Sequence, residues 1–146
     1  MLKKIFYFIL VVVSAAYFGC IGNDNKPPSV SEENYKYRFS DTSNISFIEG
    51  KMKLLVSGES LTGEYTIDTS FSESPSGLSS FQGILSGNIE DKGKRIFLNM
   101  NPKHADNNIF VYADIVQDSI KGYWVNSSMV GIKAKGNFTA VKAPKN

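Results

Sequence analysis

The chain has 146 residues, with 16 basic and 14 acidic side chains, one cysteine and one histidine. Two of the basic residues, Lys3 and Lys4, lie in an N-terminal segment that we expect to be removed, which leaves the mature chain formally neutral. A neutral chain has no basic surplus for binding nucleic acid or an anionic surface, and a single cysteine excludes an intramolecular disulfide.

The N-terminal segment has the layout of a secretory signal peptide. Lys3 and Lys4 precede an uncharged, largely apolar stretch over residues 5–18. A short positive region followed by an apolar one, and then by small residues, is typical of a segment that directs export and is cleaved off. We therefore expect a signal peptide over residues 1–19.

The stretch 1–20 also resembles the signal of bacterial lipoproteins, in which the residue after the cut is a cysteine that receives lipid. Gly19 precedes Cys20, as the lipobox of that family requires. Tyr17 and Phe18 depart from the aliphatic and small residues that the family usually has there. The resemblance implies lipidation of Cys20 and a membrane-anchored protein of the bacterial cell envelope.

Two other interpretations of this segment stay open: an ordinary signal peptide with an unrelated cysteine, and an uncleaved membrane anchor over residues 5–22. A free thiol in an exported protein needs an explanation, and lipid on Cys20 supplies one. In the lipoprotein family, Asp directly after the cysteine tends to retain a protein at the inner membrane. Ile21 stands there instead, which favours the outer membrane.

Residues 20–34 have the composition of a flexible linker. They hold two prolines, many polar side chains and few apolar ones, and such a segment buries too little surface to offset the entropy of ordering. A random coil of this length spans roughly 20 Å between its ends. We expect it to connect the lipid to a folded domain over residues 35–143.

The folded domain is predicted to be all-β. Alternating apolar and polar residues rich in Ile, Val, Phe, Tyr and Thr are interrupted by Gly, Asn, Asp, Ser and Pro. Short turns are predicted at 57–59, 91–94 and 117–119, and they imply an antiparallel meander. The predicted strands cover residues 35–39, 45–56, 61–71, 79–90, 95–101, 108–117, 119–127 and 130–142.

A glycine recurs between two apolar residues that share its parity along a strand. Successive side chains of a strand alternate between faces, so these glycines belong to the buried face. They are Gly50, Gly63, Gly83, Gly87, Gly122 and Gly136. The bulky residues predicted to face inward are Met52, Leu54, Tyr65, Ile67, Phe81, Leu85, Ile120, Trp124, Ile132 and Phe138.

Glycines inside strands mark strong bends, which a small sheet needs in order to close on itself. We therefore predict an antiparallel barrel of about eight strands, with a two-sheet sandwich as the alternative. The hairpin over 58–65 and the closing strand over 136–141 resemble the calycin class, the lipocalin-like and avidin-like up-and-down barrels. Avidin-like biotin sites need several inward tryptophans, and this chain has one, so the resemblance does not imply biotin binding.

Catalytic, metal-binding and cofactor-binding residues are not evident. His104 is the single histidine and lies in a predicted loop, where it lacks companions for a zinc site or a nucleophilic triad. The carboxylates fall in turns or at outward positions. Trp124 and Tyr65 are candidate ligand-lining residues of a hollow barrel, although a filled barrel would make both of them core residues.

Four aromatic residues are predicted on one outer wall, because their neighbours in three adjacent strands face inward. They are Phe97, Phe110, Tyr112 and Tyr123. Clustered exposed aromatics often mark an interaction surface, although strands favour aromatics anyway and the segment 35–39 could cover this wall. We expect a non-catalytic binding barrel whose partner is an envelope protein or a small apolar ligand. A structural or inhibitory protein is the alternative, and an enzyme comes third.

Overall fold

The structure is a computed structural model that describes residues 29–71, 83–104 and 106–144. The predicted signal peptide over 1–19, the lipidation site Cys20 and the linker up to residue 28 lie outside the described residues. The same holds for residues 79–82 of the fourth predicted strand and for Phe81 of the predicted inward set.

Eight antiparallel strands form a closed barrel in meander order, which confirms the predicted fold class. Each strand pairs with the next one along the chain, and the first pairs with the last, so the sheet has no continuous free edge. The strands are β1 Val30–Ser40, β2 Ser46–Ser57, β3 Ser60–Ser70, β4 Gly83–Glu90, β5 Arg95–Asn99, β6 Asn108–Val116, β7 Ser119–Ser128 and β8 Gly131–Lys142.

Strand β1 starts at Val30, five residues before the predicted start of the domain at residue 35. The segment from Val30 to Asn34 pairs with β2 alone, whereas pairing with β8 begins at Tyr35. Its polar side chains are typical of a linker, yet backbone hydrogen bonds to a neighbouring strand do not depend on side-chain polarity. Strand β1 therefore extends into residues whose composition is typical of a linker.

Most of the predicted inward glycines lie where strands approach one another closely. A Cβ at Gly122 would stand 2.1 Å from the carbonyl oxygen of Tyr112, and one at Gly136 would stand 2.0 Å from that of Ser40. Gly50, Gly63 and Gly87 are equally confined, each with a carbonyl oxygen 2.0 Å from a would-be Cβ. Gly83 differs from the prediction, because it begins β4 in open space with φ of +140°.

Ile132 was predicted to face inward, but it is 67% exposed. The register explains this: Asn126 pairs with Ala134, while Ser127 pairs with Ile132, so Lys133 is an extra residue in β8. A bulge of this kind changes the side-chain parity of the strand. A second bulge at Phe47 places both Phe47 and Ile48 in the core.

The barrel interior is filled by side chains. Trp124 packs edge-on against Phe39 and Phe47, with ring centroids 5.8 and 5.4 Å apart. Phe39 in turn lies 5.3 Å from Phe138, and Phe138 stacks on Tyr37. Every one of these rings is at most 3% exposed. The segment 35–39 thus belongs to the closed sheet and points its aromatic rings inward instead of covering the predicted aromatic cluster.

Candidate interaction surface

The four aromatic residues predicted on one outer wall are neighbours in the structure. The register pairs Phe97 with Tyr112 and Tyr112 with Tyr123 across β5, β6 and β7. Phe110 lies two residues along β6 from Tyr112 and on the same face of the sheet. We call these four residues the aromatic wall. Its binding role stays a prediction.

The rings of the aromatic wall contact one another. Tyr112 stacks on Tyr123 with centroids 5.3 Å apart, and Phe97 stacks on Phe110 at 5.8 Å. Phe97 and Tyr112 lie 5.2 Å apart and connect the two pairs. Tyr123 is 51% exposed, and the other three rings are half-buried. Each stacked pair covers one face of each of its rings, and the pair of Tyr112 and Tyr123 leaves Tyr123 exposed to solvent.

Four charged residues form a row beside the aromatic wall, at the end where β5 begins and β6 ends, with one residue on each of β4 to β7. The register pairs Glu90 with Arg95, Arg95 with Asp114, and Asp114 with Lys121. All four side chains are exposed. We call them the charge row. Sequence reasoning missed this row, because it becomes visible only when the register of three strand pairs is known.

Trp124 and Tyr65, the candidate ligand-lining residues, are 1% and 4% exposed. The indole Nε1 of Trp124 donates a hydrogen bond to the carbonyl oxygen of Ser40 at 2.9 Å. The phenol of Tyr65 donates to the carbonyl oxygen of Met100, also at 2.9 Å. Both polar atoms are therefore satisfied within the protein. This gives each residue a packing role, and a ligand-binding role stays a prediction.

Three buried tyrosines lie on the inner face of β1 and β3. Burial raises the pKa of the Tyr65 and Tyr37 phenols, and Tyr37 donates a hydrogen bond to the carbonyl oxygen of Thr66 at 3.2 Å. Burial also raises the pKa of Tyr35, and the hydrogen bond from its phenol to Glu33 adds to the effect. These phenols hold their protons at neutral pH and are unsuited to act as general bases there.

His104 lies on an exposed loop, and its Nδ1 is 2.6 Å from Oδ1 of Asn101. The amide of Asn108 donates a hydrogen bond to the carbonyl oxygen of His104. Together with the contact to Asn101, this hydrogen bond holds the loop in place. Among the described residues, no group of three or more His, Cys, Asp or Glu side chains converges as metal ligands would.

A depression of about 990 Å³ runs along β1, β2 and β3 and reaches the residues after β8. Lys51 and Met52, which neighbour each other along β2 and point to opposite faces of the strand, both line it. Two ion pairs lie in its lining: Lys53 pairs with Glu32 at 2.9 Å, and Lys142 pairs with Glu33 at 3.0 Å.

Comparison with known proteins assigns no relative to this barrel. No protein-family model matches the chain, and neither the curated proteins nor the solved structures contain a match to it. Within the described part of the chain, no helix has the length and apolar character needed to cross a membrane.

Proposed function

We propose that the chain is a lipid-anchored protein of the bacterial cell envelope whose calycin-like barrel binds a partner through its outer surface and catalyses no reaction. The observation that carries the binding part is the aromatic wall, where four rings meet on three adjacent strands. A contiguous apolar patch that remains partly exposed is typical of an interaction site.

Anchoring is supported by the sequence. The single cysteine stands at the predicted end of a signal peptide, and the first described strand begins ten residues later, at Val30. A linker of that length has an end-to-end distance of about 16–19 Å, which would hold the barrel close to a bilayer. Ile21 after the cysteine favours the outer membrane.

The lipid anchor is tested by Cys20→Ser. We expect this variant to lose labelling by a radioactive fatty acid and to leave the membrane fraction. The Cys20→Ala variant is a second form with the same expectation, because neither side chain accepts a thioether-linked lipid. A variant that still carries label and stays with the membrane would show that Cys20 is not the anchor.

Binding through the aromatic wall is tested by the double variant Phe110→Ser and Tyr123→Ser in the otherwise unchanged chain. We expect the variant to stay folded and to lose the proteins or ligand that native mass spectrometry finds on wild type purified from its own host. The matched control, Lys51→Ser with Lys53→Ser on the opposite side of the barrel, should keep them. Identical spectra for the aromatic-wall variant and wild type would remove the binding role.

The same measurement separates two forms of the proposed function. A small apolar molecule retained by the purified barrel would favour ligand binding, whereas a retained envelope protein would favour a structural or inhibitory role. The filled interior around Trp124 supports the outer surface over the inner one, since the rings of Phe39 and Phe47 already contact the indole.

A further inference from the structure

The charge row has an order of signs that is complementary to itself. From β4 to β7 it reads negative, positive, negative, positive, for Glu90, Arg95, Asp114 and Lys121. Reversing that order exchanges every sign. A second copy of the row, turned to face the first with its order reversed, would therefore set an opposite charge against each residue.

The charges at this border are available for a partner. Within residues 29–71, 83–104 and 106–144, ion pairs join Arg38 to Glu49, Lys51 to Asp68 and Lys53 to Glu32, on β1 to β3. None joins members of the charge row, although they are cross-strand neighbours. Glu90 accepts one hydrogen bond, from Asn88 at 2.8 Å.

We propose that a second copy of this chain docks on the aromatic wall and the charge row, with a two-fold axis parallel to the strands between β5 and β6. This inference rests on the proposed function, in which the aromatic wall is an interaction surface. The axis sets Arg95 of each copy opposite Asp114 of the other, while Glu90 and Lys121 lie further round the curved wall and flank this contact with charges of the opposite sign. In the next row it sets Phe97 opposite Tyr112.

The direction of the axis is also compatible with two copies anchored in the same membrane through their N-terminal linkers. A two-fold axis parallel to the strands leaves the start of β1, at Val30, on the same side of the pair in both copies. Both linkers would then reach the same membrane. An axis across the strands would instead place the two linkers at opposite ends of the pair.

Other occupants fit the surface less well. A sugar ring stacks on an exposed aromatic face, and stacking of Tyr112 on Tyr123 and of Phe97 on Phe110 already occupies one face of each of these rings. An anionic lipid surface needs a net positive patch, and the charge row has two charges of each sign. A second copy matches both the apolar and the charged parts of the surface.

A barrel wall is convex, so the contact is limited to β5, β6 and their neighbours. We therefore expect an area below the ~800 Å² per partner of a standard stable interface, and a dissociation constant in the micromolar range or weaker. Two anchored copies share one membrane surface, and this raises their effective concentration without any new contact. The pairing is thus suited to form at the membrane.

The test uses the full-length chain in density-matched detergent, with sedimentation equilibrium up to about 500 μM, a range chosen to cover weak interfaces. Wild type is expected to dimerise. Arg95→Glu and Asp114→Arg each set like charges against one another at two places in the pair, so each variant alone should bind itself at least about tenfold more weakly. Circular dichroism checks that both variants stay folded, which their exposed positions favour.

Mixing the two variants is the decisive measurement. In a mixed pair, the new glutamate of one variant faces the new arginine of the other, and the unchanged Asp114 faces the unchanged Arg95. We expect the mixture to dimerise as wild type does, with differently tagged copies recovered together. The control variant Lys51→Glu, on the ion-paired side of the barrel, should self-associate like wild type.

Wild type that stays monomeric throughout the concentration range would overturn the proposal, as would single variants that dimerise fully. Single variants that are monomeric and do not associate on mixing would overturn the proposed axis. The proposed function has a separate outcome. A monomeric wild type that still loses a bound molecule with Phe110→Ser and Tyr123→Ser would keep the aromatic wall as a binding surface for another partner.

Discussion

The outer faces of the two sides of the barrel carry different kinds of side chain. On β1 to β3, long charged side chains pair across strands, with Arg38 to Glu49 at 3.0 Å and Lys51 to Asp68 at 3.4 Å. We call this outer face the charged wall. On β5 to β7, the aromatic wall replaces ion pairs with stacked rings. The charged wall presents paired charges to water, whereas the aromatic wall keeps apolar surface exposed.

The inner faces show the opposite distribution. Behind the charged wall lie the phenols of Tyr35, Tyr37 and Tyr65, all buried. Behind β5 and β6, the inward side chains are purely aliphatic, and they are Ile96, Leu98, Ile109, Val111 and Ala113. Bulky rings lie inside the barrel behind the charged wall and outside it on β5 and β6, whereas β7 carries both, with Trp124 in the core and Tyr123 on the outer face. The four rings of the aromatic wall therefore lie outside the packed core.

The largest effect on stability is expected from substitution of the confined glycines, which occur in the strands of both walls. A Cβ would stand 2.0 Å from the Lys53 carbonyl oxygen at Gly63, and 2.1 Å from the Tyr112 carbonyl oxygen at Gly122. We expect Gly63→Val and Gly122→Val each to lower the free energy of unfolding by about 3 kcal/mol or more, because a confined core tolerates no added volume. Urea unfolding followed by Trp124 fluorescence measures this.

Gly58 offers the matched control for this prediction. It lies in an open turn with φ of +61°, a conformation that Asn tolerates, so Gly58→Asn should leave the urea midpoint nearly unchanged. A normal midpoint for Gly122→Val together with a low one for Gly63→Val would mean that only the charged wall depends on close approach of its strands.

High pH should lower the free energy of unfolding, because the buried tyrosines behind the charged wall then tend to lose their protons. Burial raises the folded-state pKa of Tyr35, Tyr37 and Tyr65 above the unfolded value of about 10. The stability that comes from their neutral form is therefore complete below pH ~10 and is lost as the pH rises further, by about 1.4 kcal/mol per pH unit for each phenol.

Urea unfolding between pH 8 and 11.5, with tyrosinate absorbance recorded in parallel, checks the pH prediction. Tyr65→Phe should make the dependence on pH shallower, even though it also loses the hydrogen bond to the Met100 carbonyl oxygen. A free energy of unfolding that does not change from pH 9 to pH 11.5 would show that these phenols titrate normally.

Coupling within the two walls should differ in size. A double-mutant cycle on Tyr112 and Tyr123 is expected to give a coupling of about 0.5–1.5 kcal/mol, the range for stacked aromatic pairs. A cycle on Lys51 and Asp68, whose side chains are 64% and 46% exposed, should give about 0.2–1 kcal/mol. A larger coupling for the ion pair than for the stacked rings would reverse the comparison between the walls.

Salt should produce the smallest effect, and it should lower the coupling energy of the ion pair on the charged wall only. Raising NaCl from 0.05 to 1 M shortens the screening length to about 3 Å. The coupling between Lys51 and Asp68 should fall by a few tenths of a kcal/mol, whereas the coupling between Tyr112 and Tyr123 should stay the same. An equal loss in both cycles would point to a general effect of salt on stability.

Local pattern was sufficient to predict much of this structure. Alternation placed all eight strands, and turn residues predicted their antiparallel order. Parity within β5, β6 and β7 correctly grouped Phe97, Tyr112 and Tyr123, because these strands contain no bulge and their side-chain period of two is unbroken. The barrel itself followed from confined glycines such as Gly63 and Gly122.

The errors have two physical causes. Ile132 was placed inside because the extra residue Lys133 reverses the parity of β8, and no residue type marks a bulge of this kind. The start of β1 at Val30 was missed because its partner in β2 supplies backbone hydrogen bonds that polar composition does not reveal. Both depend on the neighbouring strand and not on the segment itself.

By itself, the sequence determined the all-β meander, five of the six predicted inward glycines and the set of aromatic residues that share one outer wall, since each depends on alternation within one strand. Only the tertiary structure decided which charges pair and which do not. Arg38 meets Glu49, and Arg95 meets no carboxylate within ion-pair distance in the described part of the chain, because partner choice depends on register and rotamer. Barrel closure likewise required the pairing of β1 with β8, whose residues are a hundred positions apart, as Lys36 and Val141 show.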